Sequence, residues 1–366
     1  MDSPLRSSNM PTAPMPGPRL VQAITEDRTE VAGRGQAPVG GRATLLESDA
    51  VLAGKFRLLA PLGEGAMGKV WLAQHEALGR KVALKVLHRR THADAQLRER
   101  FEREVRAVAA LDHPGIVGAF DCGTLGDGRT YLAMEYVEGR SLEQLLRSRG
   151  RLPWPALSRI ARDVLSALAH AHDHGFVHRD LKPANLIVCA GDPVAGPVRL
   201  LDLGIARRTN RLRGSTLTQA GEYIGTPAYS SPEQLRGERV GPRADLFSLG
   251  ALLYRAATGE LPFAGRSFAE VTQAQHQGEA PPPVLRFADS TRPAAFDALL
   301  LSMLSLDPSR RPTSAHEAYA TLDRIDALTQ TPQRRRSGLT VPLLTGATLL
   351  ALGGLLGGIV ATWLAS

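Results

Sequence analysis

Cysteine is almost absent: Cys122 and Cys189 are the two in 366 residues. They form no CxxC pair and no other ligand spacing, which excludes a disulfide framework and a zinc site. Aromatic residues make up only 5% of the chain, too few for a nucleic-acid surface on which bases stack among clustered cations. The net charge of +8 does not alter this, because five lysines stand among 44 basic residues and the excess is arginine. That imbalance reads as codon usage in a GC-rich genome, and no nucleic-acid partner is expected. A basic region followed by an apolar run is also missing at the N-terminus, so no secretory signal is expected. Asp2 excludes N-myristoylation, which needs glycine at that position.

What is present is a hydrophobic content of 43%, ample for a packed core. Residues 1–53 are rich in Pro, Gly, Ser and Thr without a sustained apolar period, and are expected to form a disordered leader. Thr25 and Thr29 lie among acids there; an inert tether is the favoured reading, a phosphothreonine docking site the other. Order is expected near Phe56, where Phe56–Leu59 reads as a strand. Gly63-Glu64-Gly65-Ala66-Met67-Gly68-Lys69-Val70 follows and runs into Trp71-Leu72-Ala73. A lone GxGxxG is weak evidence. Strands on both sides, however, predict a strand–turn–strand flap whose glycines let backbone amides close over phosphates, and not the helix-opening dinucleotide version.

Val82–Leu87 alternates as a strand with Lys85 in its middle, and a cation in an apolar strand requires a carboxylate. The helical run Asp94–Leu111 offers Glu102 and Glu104, with Glu99 a weaker candidate. Tyr131–Val137 reads as a buried strand that breaks at Gly139. A helix is expected over about Ala156–His174, ending at Gly175. Its His170, His172 and His174 do not all share a face and have no acidic or cysteine companion, so they are read as helix histidines and not as metal ligands.

The stretch His178-Arg179-Asp180-Leu181-Lys182-Pro183-Ala184-Asn185 brings together a proton acceptor, a cation and an amide oxygen donor. Phosphoryl transfer needs those groups side by side: one to take the hydroxyl proton, one to face the γ-phosphate, one to bind Mg²⁺. A β-hairpin, Leu186–Val188 with Val198–Leu201, then delivers Asp202-Leu203-Gly204. Asp202 and Asn185 are two hard oxygen ligands of the kind a hydrated Mg²⁺ accepts. A basic loop with Ser215, Thr216, Thr218 and Thr226 leads to Gly225-Thr226-Pro227-Ala228-Tyr229-Ser230-Ser231-Pro232-Glu233. Asp245 and Arg311 lie in later segments.

In their order and spacing, these segments of residues 54–327 resemble a bacterial Hanks-type (eukaryotic-like) Ser/Thr protein kinase. The resemblance implies an α+β, bilobal protein-kinase fold, with a β-rich N-lobe over 54–136 and a helical C-lobe over 137–327. It selects Glu104 as the partner of Lys85. Catalysis is thereby assigned to Asp180, Lys182, Lys85 and Glu104, and the metal to Asn185 and Asp202. The ATP cleft is assigned to Leu62, Gly63, Glu64, Gly65, Ala66, Met67, Gly68, Lys69, Val70, Ala83, Lys85, Met134, Glu135 and Val137. Within that set Val70 would roof the adenine, Met134 would be the gatekeeper, and the hinge backbone at Glu135 and Val137 would meet the adenine edge. ATP and Mg²⁺ (or Mn²⁺) are the implied cofactors, proteins the implied substrates. Arg179 would meet a loop phosphate placed by autophosphorylation of Thr216 or Thr218. Asp245 would cap the catalytic-loop backbone and Arg311 would be buried against Glu233. The chain departs from the family pattern at Leu203, where Phe is usual, and at Ser231, where Ala is usual. A nucleotide-binding scaffold and a small-molecule phosphotransferase are the alternatives. Every ligand is present, against the first, and the Gly-Thr-Pro segment argues against the second.

Residues 334–336 are Arg-Arg-Arg, and 337–366 contain no charged residue. That length exceeds the roughly 20 residues a membrane span needs. The expectation is a basic juxtamembrane linker at 328–338 and a transmembrane helix at 339–365, anchored in the inner membrane with the kinase-like domain in the cytoplasm. Gly353, Gly354, Gly357 and Gly358 form overlapping GxxxG patterns through which a homodimer could pack. Hardly any chain follows Trp363, so a signal is expected from the cytoplasm, the membrane or a partner.

Overall fold

The computed structural model describes residues 48–65, 68–88, 105, 109–189, 196–202, 227–265, 267–283 and 292–330. Strands β1 (Val51–Leu52), β2 (Phe56–Gly65), β3 (Gly68–His75), β4 (Arg80–Leu87), β5 (Ala119–Thr124) and β6 (Thr130–Glu135) form one antiparallel sheet, ordered β1-β2-β3-β4-β6-β5. Strand periodicity divides β4 cleanly: Val82, Leu84 and Val86 are buried with Phe56, Leu58, Trp71, Ala73 and Ala133, while Ala83 and Lys85 point to the other face. Regular structure is already present before Phe56, because β1 pairs with Phe56 and Arg57 and the Asp49 amide donates to Leu58 O at 2.8 Å. Backbone pairing holds this edge, and a Pro/Gly/Ser-rich composition gives no hint of it.

A second sheet, β7 (Gly139–Ser141), β8 (Leu186–Cys189) and β9 (Val198–Leu200), starts the helical half. Gly139 opens β7 where a Cβ would overlap Val188 O and Ile187 Cγ2, so the residue expected to end a strand instead lets two backbones approach. Helix α1 (Leu142–Arg149) is set by a capping box in which the Gln144 amide donates to Ser141 Oγ at 3.2 Å. Helix α2 (Trp154–Asp173) starts two residues earlier than its periodicity indicates, since Pro153 at its N-cap presets the turn; it closes through Gly175 at φ +76°. Helices α3 (Pro232–Leu235), α4 (Pro242–Thr258), α5 (Phe268–His276), α6 (Ala294–Met303) and α7 (Ala315–Gln330) complete the described part. Nearly all of α4 is buried, and it packs on α2, on α6 and on a 3-10 turn at Pro227–Tyr229. Of the helix expected at Asp94–Leu111, only Val105 and its final residues are described; Val105 is helical and buried. Among the described residues no helix is long and apolar enough to cross a membrane; residues 339–365 and the leader up to residue 47 lie outside them.

Arg311 is inaccessible and holds Glu233 bidentately, at 2.7 and 2.9 Å. It also donates to Ser305 O and Arg243 O and lies 4.9 Å from the Phe247 ring, which ties α3 to α4. Burial opposes ionisation of Glu233, but the Arg311 hydrogen bonds outweigh it and hold the carboxyl below its usual range. Arg311→Met would strand that carboxylate and should cost about 3–5 kcal/mol in urea unfolding. The depressed pKa means the stabilisation is complete above about 4.5, the unfolded value, and is lost as pH falls through the folded one. The urea midpoint should therefore drop with acid in the parent protein and drop less in Arg311→Met; equal slopes would show the pair is not the acid-sensitive element.

Candidate active site

Asp245 organises the loop that carries Asp180. Fully buried near the start of α4, it accepts the His178 amide on Oδ2 and the Arg179 amide on Oδ1, both at 2.8 Å, and His172 Nε2 at 2.8 Å. Burial pushes its pKa up, but these donors, His172 foremost, more than reverse the effect and keep it ionised. His178, also inaccessible, accepts the Asp180 amide on Nδ1 at 3.2 Å, which leaves Nε2 to donate to Leu201 O at 2.9 Å. Gln234 Nε2 donates to Arg179 O at 2.8 Å. Anchored from these sides, Arg179 is held at φ +65°, a left-handed backbone that a non-glycine residue adopts only under constraint.

Three segments meet around Asp180. Lys182 Nζ lies 3.6 Å from Asp180 Oδ2. Asn185, in a 3-10 turn at Pro183–Asn185, donates Nδ2 to Asp180 O at 2.7 Å, which leaves its amide oxygen as the group for a cation. Leu201 N donates to Asn185 O at 2.8 Å, joining the loop to the segment that ends in Asp202. From the sheet, Lys85 Nζ reaches Asp202 Oδ2 at 2.6 Å. Burial disfavours the Asp202 anion, but Lys85, then His178 and Lys182, outweigh burial and lower its pKa. Asp202 too has a left-handed backbone, φ +50°. The structure thus brings Asp180, Lys182, Asn185, Asp202 and Lys85 together. Glu104, expected to pair with Lys85, lies outside the described residues; among these the lysine's partner is Asp202, a contact over 117 positions that sequence spacing could not disclose.

One carboxylate and one amide oxygen fit a hard divalent cation that takes its other ligands from water and phosphate. The same donors accept Mn²⁺. Among the described residues no group of three or more His, Cys, Asp and Glu forms a closed metal cage; of the α2 histidines, His172 meets Asp245 and His174 meets His170 O.

Above these groups β2 and β3 pair as Gly63↔Val70, Glu64↔Lys69 and Gly65↔Gly68, the flap expected from the glycine pattern; its tip, Ala66 and Met67, lies outside the described residues. A Cβ on Gly68 would overlap Val86 O and Leu87 Cα, so β3 can lie this close to β4 only with glycine. Val70 pairs with Lys85 and Lys85 with Leu132; Leu72 pairs with Ala83 and Ala83 with Met134. Directly paired residues share a face, so Val70, Ala83, Lys85 and Met134 line one surface, while Leu62 is buried in β2. Lys69 is different: its Nζ sits 4.2 Å over the Trp71 ring on the opposite face, so only its backbone can serve that surface. At the hinge the Glu135 amide donates to Gly118 O at 2.9 Å, and Val137 packs on the main core.

The segment entering α3 is braced by residues the sequence did not single out. Arg255 of α4 donates to Tyr229 Oη at 2.5 Å and to both carboxylate oxygens of Glu143 at 2.6 and 3.1 Å. Burial pushes the Tyr229 phenol up to about 12 against the opposing pull of Arg255. No pattern marks such a half-buried triad, since its members lie in three separate helices and turns. Leu203, Gly204, Thr216, Thr218 and Thr226 lie outside the described residues.

The comparisons agree with this geometry. A family model described as a protein kinase domain matches residues 56–321. The serine/threonine-protein kinase pkn2 of Myxococcus xanthus is 44% identical over 271 residues, 73% of this chain and 32% of that protein. PknB of Mycolicibacterium smegmatis is 40% identical over 278 residues, 75% of this chain and 43% of that protein. The chain thus spans less than half the length of either relative. The crystal structure of a point mutant of the Mycobacterium tuberculosis PknI kinase domain superposes with a TM-score of 0.60 at 30% identity, covering 77% of this chain and 99% of that one. With a bilobal architecture, a glycine flap and an Asp180–Asp202 cleft beneath it, the chain belongs to the protein kinase family.

Proposed function

We propose that this chain is an active Ser/Thr protein kinase, transferring the γ-phosphate of ATP to Ser or Thr hydroxyls of proteins in bacterial signalling. The observation that carries the reading is the convergence of Asp180, Lys182 and Asn185 with Lys85 and Asp202 in one cluster of ion pairs and hydrogen bonds, joined through Leu201 N and Asn185 O. Asp180 orients the acceptor hydroxyl and takes its proton, and Lys182 offsets charge on the γ-phosphate. Lys85 positions the α- and β-phosphates, with Glu104 as its second partner. Asn185 and Asp202 would hold the metal, and Mg²⁺, when bound, would supply neutralising charge to the phosphates. Such transfer rests on positioning and electrostatics, so single losses in the cluster are severe. Arg179, beside Asp180, receives a phosphate on Thr216 or Thr218, which orders the loop between Asp202 and Pro227. Residues 339–365 span the inner membrane behind Arg334–Arg336, with the kinase domain in the cytoplasm, and the glycine pattern at 353–358 pairs two chains.

Incubation of the full-length chain with Mg²⁺ and labelled ATP should label its own Ser or Thr, and Asp180→Asn should reduce the rate by about 10²–10⁴-fold. A parent chain that binds nucleotide yet transfers nothing would instead be a scaffold. Alanine at both Thr216 and Thr218 should lower activity and leave the loop more open to protease; unchanged values of both would remove the autophosphorylation reading. The full chain should resist alkaline extraction from membranes, and deletion of 337–366 should release it, whereas release of the intact chain would rule out a span. Ile at Gly354 and Gly358 should weaken self-association in a membrane reporter, and undiminished association would exclude that face.

A further inference from the structure

Arg199 lies in β9 with no part in the chemistry above, yet its guanidinium joins three segments of the cleft. Nη1 and Nη2 grip the Glu135 carboxylate at 3.2 and 2.6 Å, and Nη2 also donates to Ile116 O at 3.0 Å. Its side chain is 20% exposed and that of Glu135 47%, so the pair sits at the cleft wall in partial contact with solvent. The backbone around it is tied as well. Val117 N donates to Leu200 O at 3.0 Å, Leu200 N to Gly115 O at 2.8 Å, and Glu135 N to Gly118 O at 2.9 Å. Residues 115–118 are therefore clasped between β9 and the hinge, and Arg199 bridges the clasp from side to side. Glu135 is the hinge residue whose backbone would meet the adenine edge. Leu200 and Leu201 lead directly from Arg199 to Asp202, the metal ligand.

We propose that Arg199 is a positioning residue for nucleotide binding: a strap that fixes the hinge at Glu135 relative to the metal ligand at Asp202. The inference rests on the kinase reading for its consequence and on the ion-pair geometry for its cause. A planar guanidinium suits the task because its fork engages a carboxylate and a carbonyl together, which an ammonium cannot do with the same rigidity. Opening the strap frees the hinge to shift against β9, so nucleobase and metal–phosphate ends are no longer held at one spacing. Affinity for nucleotide suffers, while the groups around Asp180, held separately by Asp245, keep their geometry once the cleft is filled.

The test uses the full-length chain and mant-ADP with Mg²⁺, alongside steady-state transfer. Arg199→Leu should raise the mant-ADP Kd and the ATP KM roughly three- to tenfold, the range expected of a half-exposed bidentate pair. The kcat at saturating ATP and the KM for a protein acceptor should stay within about twofold of the parent. Glu135→Gln should reproduce the loss, and the double variant should be no worse than either single one, the signature of a direct pair. Arg199→Lys should recover part of the affinity and serves in its place if Arg199→Leu does not fold. An unaltered Kd in Arg199→Leu, fully additive losses, or a fall in kcat without a change in KM would overturn the strap. Should the parent bind mant-ADP through Arg199 but transfer no phosphate, the strap would stand and the kinase reading would fall.

Discussion

Much of the cleft depends on a single buried carboxylate. Asp245 has no access to solvent, so its charge is tolerable only because backbone amides of His178 and Arg179 and the His172 ring all donate to it. The dependence runs both ways. Those amides belong to a loop with no ladder of its own, and without an acceptor they would be unsatisfied inside the protein. Helix α4 is therefore more than filler: its apolar faces seal the core, and near its start it presents the one anion on which the catalytic loop is built. His178 extends this order by linking Asp180 N to Leu201 O, so the proton acceptor and the metal-ligand segment share a foundation.

On that foundation charges are placed in compensating pairs. Lys85 lies on Asp202 and Lys182 beside Asp180, while Asn185 gives its amide protons to Asp180 O and keeps its oxygen. Each cation is within reach of the anion whose repulsion would otherwise burden the site. Two cations, two carboxylates and one amide oxygen thus lie together, already paired with one another.

The residues of the cluster were legible in the sequence because most of them lie at short spacing. The run from His178 to Asn185 and the glycines from Gly63 to Gly68 carry their meaning locally, and β4 reveals Lys85 by simple alternation. Asp245 and Arg311 were anticipated through resemblance, and the structure gives both the partners expected. Other contacts left no trace. Strand β1 is held by main-chain bonds at an edge, and β7 begins at a glycine that looked like a terminator. The pairs Lys85–Asp202, Arg199–Glu135 and Arg255–Glu143 join positions far apart in the chain. Lys85 and Asp202 stood out singly but not as partners of each other, whereas Arg199, Arg255 and Glu143 each look like an ordinary charged residue on a strand or helix. Lys69 illustrates the reverse error: it belongs to the glycine motif by sequence, but strand alternation turns its side chain away from the cleft.

The backbone at Arg179 and Asp202 has a wider consequence. Both residues occupy left-handed conformations, at φ +65° and +50°, where a side chain costs roughly 1–3 kcal/mol each. Glycine would sit at either position without that backbone penalty. At Asp202 the ion pair with Lys85 offsets part of that strain, because glycine there would leave the half-buried lysine unpaired. Glycine at Arg179 should therefore ease the backbone while removing the side chain beside Asp180, a case where a more stable chain and a working one ask for different residues.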